Sequence, residues 1–196
     1  MIRLEKLLTW SSSITYDDSH DINDYVMHTS FYSQIDDEHQ QAVAYERMKW
    51  WIHSVMQGAL LIHQDDPMLP AYLGTRQRVL ALPDNPVDHL VIAMLFCKIN
   101  AIMESRLIID ELKLSSSQGD EVWYRFSDQD DLVFAEGQGW WTHFGPVWHD
   151  RDTEPGGNNI VNLDRGLDWS DLGLGWAQST HDSQVVYADF SKNAKK

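Results

Sequence analysis

The chain holds a single cysteine, Cys97, in 196 residues. A disulfide between two of its own residues is impossible, which excludes the small secreted scaffolds that depend on such bridges. Bases are scarce as well: 15 lysines and arginines stand against 30 aspartates and glutamates, a formal net charge of −15. Phosphate neutralisation needs a basic face, so direct nucleic-acid binding is disfavoured, and so is attraction to an anionic membrane surface. Long apolar runs are missing too. The longest, Leu90 to Cys97, is followed by Lys98 and Asn100 and is too short to span a bilayer. The opening MIRLEKLLTWSSS has neither a long apolar core nor a small-residue cleavage pattern. Together these absences predict a soluble cytoplasmic protein.

What is present is apolar and aromatic. A hydrophobic fraction of 43% with 11% aromatic residues is enough for a buried core and argues against global disorder. The length suits one domain over 1–196. Within it the sequence divides into an N-terminal segment (1–37), a helical part (38–105), a β-meander (106–136), an irregular or β part (137–191) and a basic tail (192–196). The acidity is uneven, since residues 115–196 carry 14 acids and 6 bases.

Segment by segment, Ile2–Thr9 reads as a short strand or helix followed by the polar loop SSSITYDDSHDIND. The acids Asp36, Asp37 and Glu38 complement a helix N-terminus and open a helix expected to end near His63. Tyr45, Met48, Ile52, Val55, Met56 and Ala59 form its apolar stripe. A second helix is expected from Asn85 as cap and Pro86 as first residue to about Glu104 or Ser105. Its run Leu90–Cys97 is apolar all round, so it should be the central buried helix. Arg106–Leu114 is rich in β-branched and aliphatic residues, with alternation emerging at Leu112–Leu114. EVWYRFS from Glu121 has the two-residue period of a half-buried strand, and DLVFAEG from Asp131 reads as a third strand. A last strand is expected at Gln184–Phe190. The predicted fold is α+β: two main helices packed on an antiparallel β-meander, with a loop-rich Trp/Asp/Gly C-terminal part.

The segment Trp141–Gly166 invites a catalytic reading. His149-Asp150, the turn Gly156-Gly157-Asn158-Asn159 and Asn162-Leu163 resemble the first half of a histidine–asparagine–histidine nuclease motif. The second half fails, because the next histidine, His181, follows a glycine-interrupted stretch with no helical stripe. The surrounding acids would repel a nucleic-acid substrate. Glycine and asparagine also supply the positive φ values of an ordinary tight turn. His39, Glu46 and His53 share a helix face at seven-residue spacing, a rise of about 10.5 Å and too far for one ion. The acidic stretch DDSHDIND departs from a calcium loop, with Ile22 and His28 where glycine and glutamate belong, and reads as solvated or partner-facing. The sequence contains neither a nucleophile elbow nor a phosphate-cradling glycine loop.

The remaining signal is excess carboxylate interleaved with tryptophan. Trp140, Trp141, Trp148, Trp169 and Asp150, Asp152, Glu154, Asp168, Asp171 suit an interface in which aromatics anchor and acids select a basic partner. The same tryptophans, with Trp176, equally suit the core of a loop-rich half. The leading expectation is a non-enzymatic acidic protein-binding module without cofactor. Its partner would be a basic surface of a nucleic-acid-binding protein or complex, which it would inhibit as a nucleic-acid mimic or join as an assembly subunit. The rival is a metal-dependent hydrolase using His149, Asp150, Asn162 and His181, with His143 and His149 as metal ligands and Asn159 nearby. A third class is a carbohydrate-binding surface of stacked tryptophans.

Overall fold

Residues 3–16, 19–75, 77–132, 139–146 and 167–176 are described by a computed structural model. The N-terminal segment is a long hairpin, β1 (Arg3–Tyr16) and β2 (Ser19–Ser33), paired in register from Arg3 opposite Tyr32 to Tyr16 opposite Ser19. This corrects the expected short element and polar loop. Leu8, Trp10, Ser12 and Ile14 are buried on one face of β1, while Ser11 and Ser13 are half-buried on the other. Trp10 stacks on Tyr25 directly across the strands, ring centroids 5.1 Å apart. The period of two is intact, but serine, threonine and asparagine fill inward positions where apolar residues were sought.

Helix α1 (Glu38–Trp51) starts where the acids indicated, with Asp37 as N-cap accepting from the Gln40 amide at 3.1 Å. The expected helix to His63 is corrected at its end. Ile52–Met56 widens into a π turn, closed by Gln57 N–H donating to Ile52 O at 2.9 Å. Gly58, at φ +71°, then redirects the chain, and its N–H donates to Ser11 O on β1. A side chain would be strained at that φ, which is why glycine serves there. Strand β3 (Leu60–His63) follows, then the short helix α2 (Leu69–Leu73) and β4 (Val79–Leu82). Both strands are parallel, short and almost wholly buried, the continuous apolar type that lacks alternation.

Helix α3 (Asp88–Met103) has Val87 at its N-cap, so Asn85 and Pro86 precede it rather than capping it. Its buried residues include Leu90 to Leu95, Ile99, Ile102 and Met103, which makes it the central helix as expected. It ends on Glu104 and Ser105, two left-handed residues at φ 46° and 64°. Strands β5 (Leu107–Ser116) and β6 (Tyr124–Ser127) complete a mixed six-stranded sheet in the order β4-β3-β1-β2-β5-β6. Ser30 pairs with Glu111 and Phe31 with Ile109, which leaves Asp110 bulged, and its carboxylate meets Arg3 at 2.8 Å.

The class is therefore α+β, but the sheet is mixed and not an antiparallel meander: β1, β3 and β4 run parallel. Helices α1 and α3 touch one another and cover the face that carries Trp10, Tyr25, Met27 and Phe31. The expected strand from Asp131 falls largely, and that at Gln184–Phe190 wholly, outside the described residues. Among the described residues no helix is long and apolar enough to cross a membrane.

Candidate functional site

Two buried cations organise the C-terminal pieces that carry the expected site residues. Arg47, on α1, is only 2% exposed. Its Nε donates to Leu174 O at 2.8 Å, and its Nη1 donates to Ile102 O at 3.2 Å and meets Glu104 Oε1 at 2.7 Å. The guanidinium lies 3.5 Å from the Trp176 ring centroid and 4.9 Å from that of Trp169. Arg106 faces Trp176 at 4.3 Å, so that indole sits beside two guanidinium groups. Burial lowers the Arg47 pKa, while Glu104, and at longer range Asp168, oppose the shift.

Lys98, on α3, is fully buried, and its Nζ donates to His143 O at 2.5 Å and Gly145 O at 2.9 Å. Burial pulls its pKa down from 10.5 to about 7. The segment it holds also contributes Trp140, whose indole N–H donates to Ala81 O at 2.9 Å and whose ring stacks on Trp51. Trp169 donates to Phe144 O at 2.7 Å, which ties 167–176 to 139–146.

These contacts place the expected site residues individually. Trp140, Trp141 and Trp169 are buried in the main core, so in this conformation they are packing rather than exposed anchors. Asp168 and Asp171 are exposed, and their carboxylates accept from the amides of Trp169 and Asp168 within one turn. His143 Nδ1 accepts from Gly145 N–H at 3.1 Å, and its ring stacks on Phe144. Trp148, His149, Asp150, Asp152, Glu154, Asn159, Asn162 and His181 lie outside the described residues. Among the described residues no group of three metal-ligating side chains converges.

A cleft opens elsewhere, at the Tyr16–Ser19 end of the hairpin. It encloses about 330 Å³. Pairing across β1 and β2 puts Ile14, Tyr16, Ser19, Asp21 and Asn23 on one face, and all five line it. Helix α3 presents Asp88 from its first turn, and the chain after β5 adds Gln118, Gly119 and Tyr124. Asp88 is 8% exposed, and its Oδ2 accepts from Ser116 Oγ at 2.8 Å. A Cβ on Gly119 would stand 2.3 Å from Asp88 Oδ2, so only glycine lets the backbone pass this carboxylate. Burial pushes the Asp88 carboxyl up, against the hydrogen bond from Ser116 and the nearby His89. Asn23 Oδ1 accepts from Ser117 Oγ and Gln118 N, fixing the turn to the hairpin.

The same turn carries Asp120 and Glu121 at φ 52° and 58°. Left-handed residues with side chains cost about 1 kcal/mol or more each, and the turn is held by Glu121 N–H to Ser116 O and Val122 N–H to Gly119 O. It delivers Val122 and Trp123 to the surface, 53% and 52% exposed. Tyr16 and Tyr124 are exposed as well. Exposed aromatic side chains and carboxylates therefore meet at the hairpin end, and Trp140, Trp141 and Trp169 are not part of that surface. Asp21 of the stretch DDSHDIND lies at this end.

Arg47→Ala should cost about 2–4 kcal/mol, judged by denaturant unfolding, because it removes a guanidinium bonded to two carbonyls and a carboxylate. Arg47→Lys should recover little of the loss, since one ammonium cannot reproduce the fork; equal stability of wild type and Arg47→Lys would contradict the clamp. For Lys98 the sign follows from its lowered folded pKa: between about pH 7 and its unfolded value near 10.5 the unfolded chain binds more protons. The stability difference, wild type minus Lys98→Met, should rise with pH across that window and be flat below it.

No family model matches the chain, and no curated protein matches it. Among solved structures, it is similar to an uncharacterized protein, WS1659, from Wolinella succinogenes. The sequence identity is 9% and the TM-score 0.48, over 65% of this chain and 98% of that one.

Proposed function

We propose that the protein is a non-enzymatic binding module that docks its hairpin end on a basic protein surface. The observation that carries this reading is the gathering of Tyr16, Val122, Trp123 and Tyr124, all exposed, around a turn and strand end bearing Asp21, Asp120 and Glu121. Large aromatics supply anchoring area at low entropic cost, and a carboxylate rim rewards lysine- and arginine-rich partners. The net charge of −15 adds long-range attraction to such a surface. A groove that ordinarily holds nucleic acid has the required charge, so the partner proposed is a nucleic-acid-binding protein or complex.

The test is capture of the partner by wild type and by Trp123→Ala over about a decade of salt. Wild-type affinity should fall with salt, because exposed charge pairs are screened. Trp123→Ala should weaken it roughly 10- to 30-fold, as loss of an aromatic anchor worth about 2 kcal/mol would. Added DNA or RNA should displace the module. Capture indifferent to salt and unchanged in Trp123→Ala would defeat the proposal.

A further inference from the structure

The geometry points to the cleft at the hairpin end as a socket for one basic side chain, of lysine or arginine type, supplied by the docked partner. This deepens the reading just given and rests on it. Asp88 is more than nine-tenths buried, yet its carboxylate accepts one hydrogen bond, from Ser116 Oγ onto Oδ2. Among the described residues no hydrogen bond reaches Oδ1, and this oxygen is not shut off from solvent. An accessible carboxylate oxygen on a mostly buried side chain is matched best by a cationic N–H group, the strongest class of donor.

The rest of the lining fits the same ligand. Tyr16 and Tyr124 contribute ring surface to the cleft, suited to the methylene stem and to cation–π contact. Asp21 adds a second carboxylate, and among the described residues no lysine or arginine lines the cleft. Asn23 spends its Oδ1 on the neighbouring turn and serves as wall. An anion would meet two carboxylates here, and a purely apolar group would leave Oδ1 unpaired. A volume of about 330 Å³ holds a single long side chain, not a folded element.

The experiment is an amide-detected NMR titration of the full chain with N-acetyl-lysine-N-methylamide, alongside its neutral norleucine counterpart. Saturable shifts are expected at Ser19–Asn23 and Gln118–Gly119, with a dissociation constant on the order of millimolar. The norleucine probe should give none. Asp88→Asn can still accept from Ser116 but loses the charge, and should weaken binding about 10-fold or more. Should that variant fail to fold, Asp21→Asn at the cleft mouth decides, with a loss of roughly two- to fivefold expected. Unsaturable shifts scattered over the acidic surface, or equal affinity in the folded carboxamide variant, overturn the assignment. A failed titration beside salt-dependent capture of the partner would remove the socket and leave the docking face standing.

Discussion

The arrangement of the C-terminal pieces depends on one buried guanidinium. Arg47 reaches out of α1 to a carbonyl of 167–176, a carbonyl near the end of α3 and the Glu104 carboxylate. Two left-handed residues end α3, and Glu104 is one of them, so a strained helix end is held by the charge that also seats Trp176 and Trp169. Lys98 does the parallel work for 139–146 through two carbonyls. Loop-rich segments cannot satisfy their own backbone carbonyls as helices and sheets do. Long cationic side chains from the helices supply the missing donors, and the tryptophans exclude water around them. The desolvation cost is visible in the lowered pKa values of both cations.

This explains why an acidic chain keeps its few bases where it does. Among the described residues, Arg47 and Lys98 are spent in the interior as multiple donors. Several tryptophans are committed to packing, while Phe144 on 139–146 and, at the hairpin end, Tyr16, Trp123 and Tyr124 stay exposed. There the strain of Asp120 and Glu121, the close pass of Gly119 by Asp88 and the anchoring of the turn to Asn23 all shape one acidic end. The proposed recognition of a basic partner and the proposed seating of one of its side chains would be two scales of the same electrostatic preference.

Much of the helical layer was legible in the sequence. Asp37 marked the start of α1, and the uninterrupted apolar run marked α3 as central, because both signals are local. The hairpin was not, since Ser12, Asn23 and Thr29 occupy buried inward positions and broke the apolar alternation. β3 and β4 escaped because four buried residues show no period, and Leu60–His63 continued the phase of the preceding stripe past the π turn. The candidate cleft was illegible for a different reason. Asp21, Asp88 and Gly119 lie far apart in the chain, and only strand pairing and the sheet order bring them together. The burial of Trp140 against Ala81 and Trp51, and of Trp169 beside Arg47, likewise rests on partners that no spacing rule connects to them.

The central claim is that the described C-terminal tryptophans are core and the aromatic contact surface is at the hairpin end. Hydroxyl-radical footprinting of the native chain, read by mass spectrometry at each tryptophan, tests it most directly. The account predicts rapid oxidation of Trp123 and strong protection of Trp140, Trp141 and Trp169, comparable to Trp10 and Trp51 in the sheet core. Oxidation of Trp140, Trp141 and Trp169 as fast as that of Trp123 would contradict it.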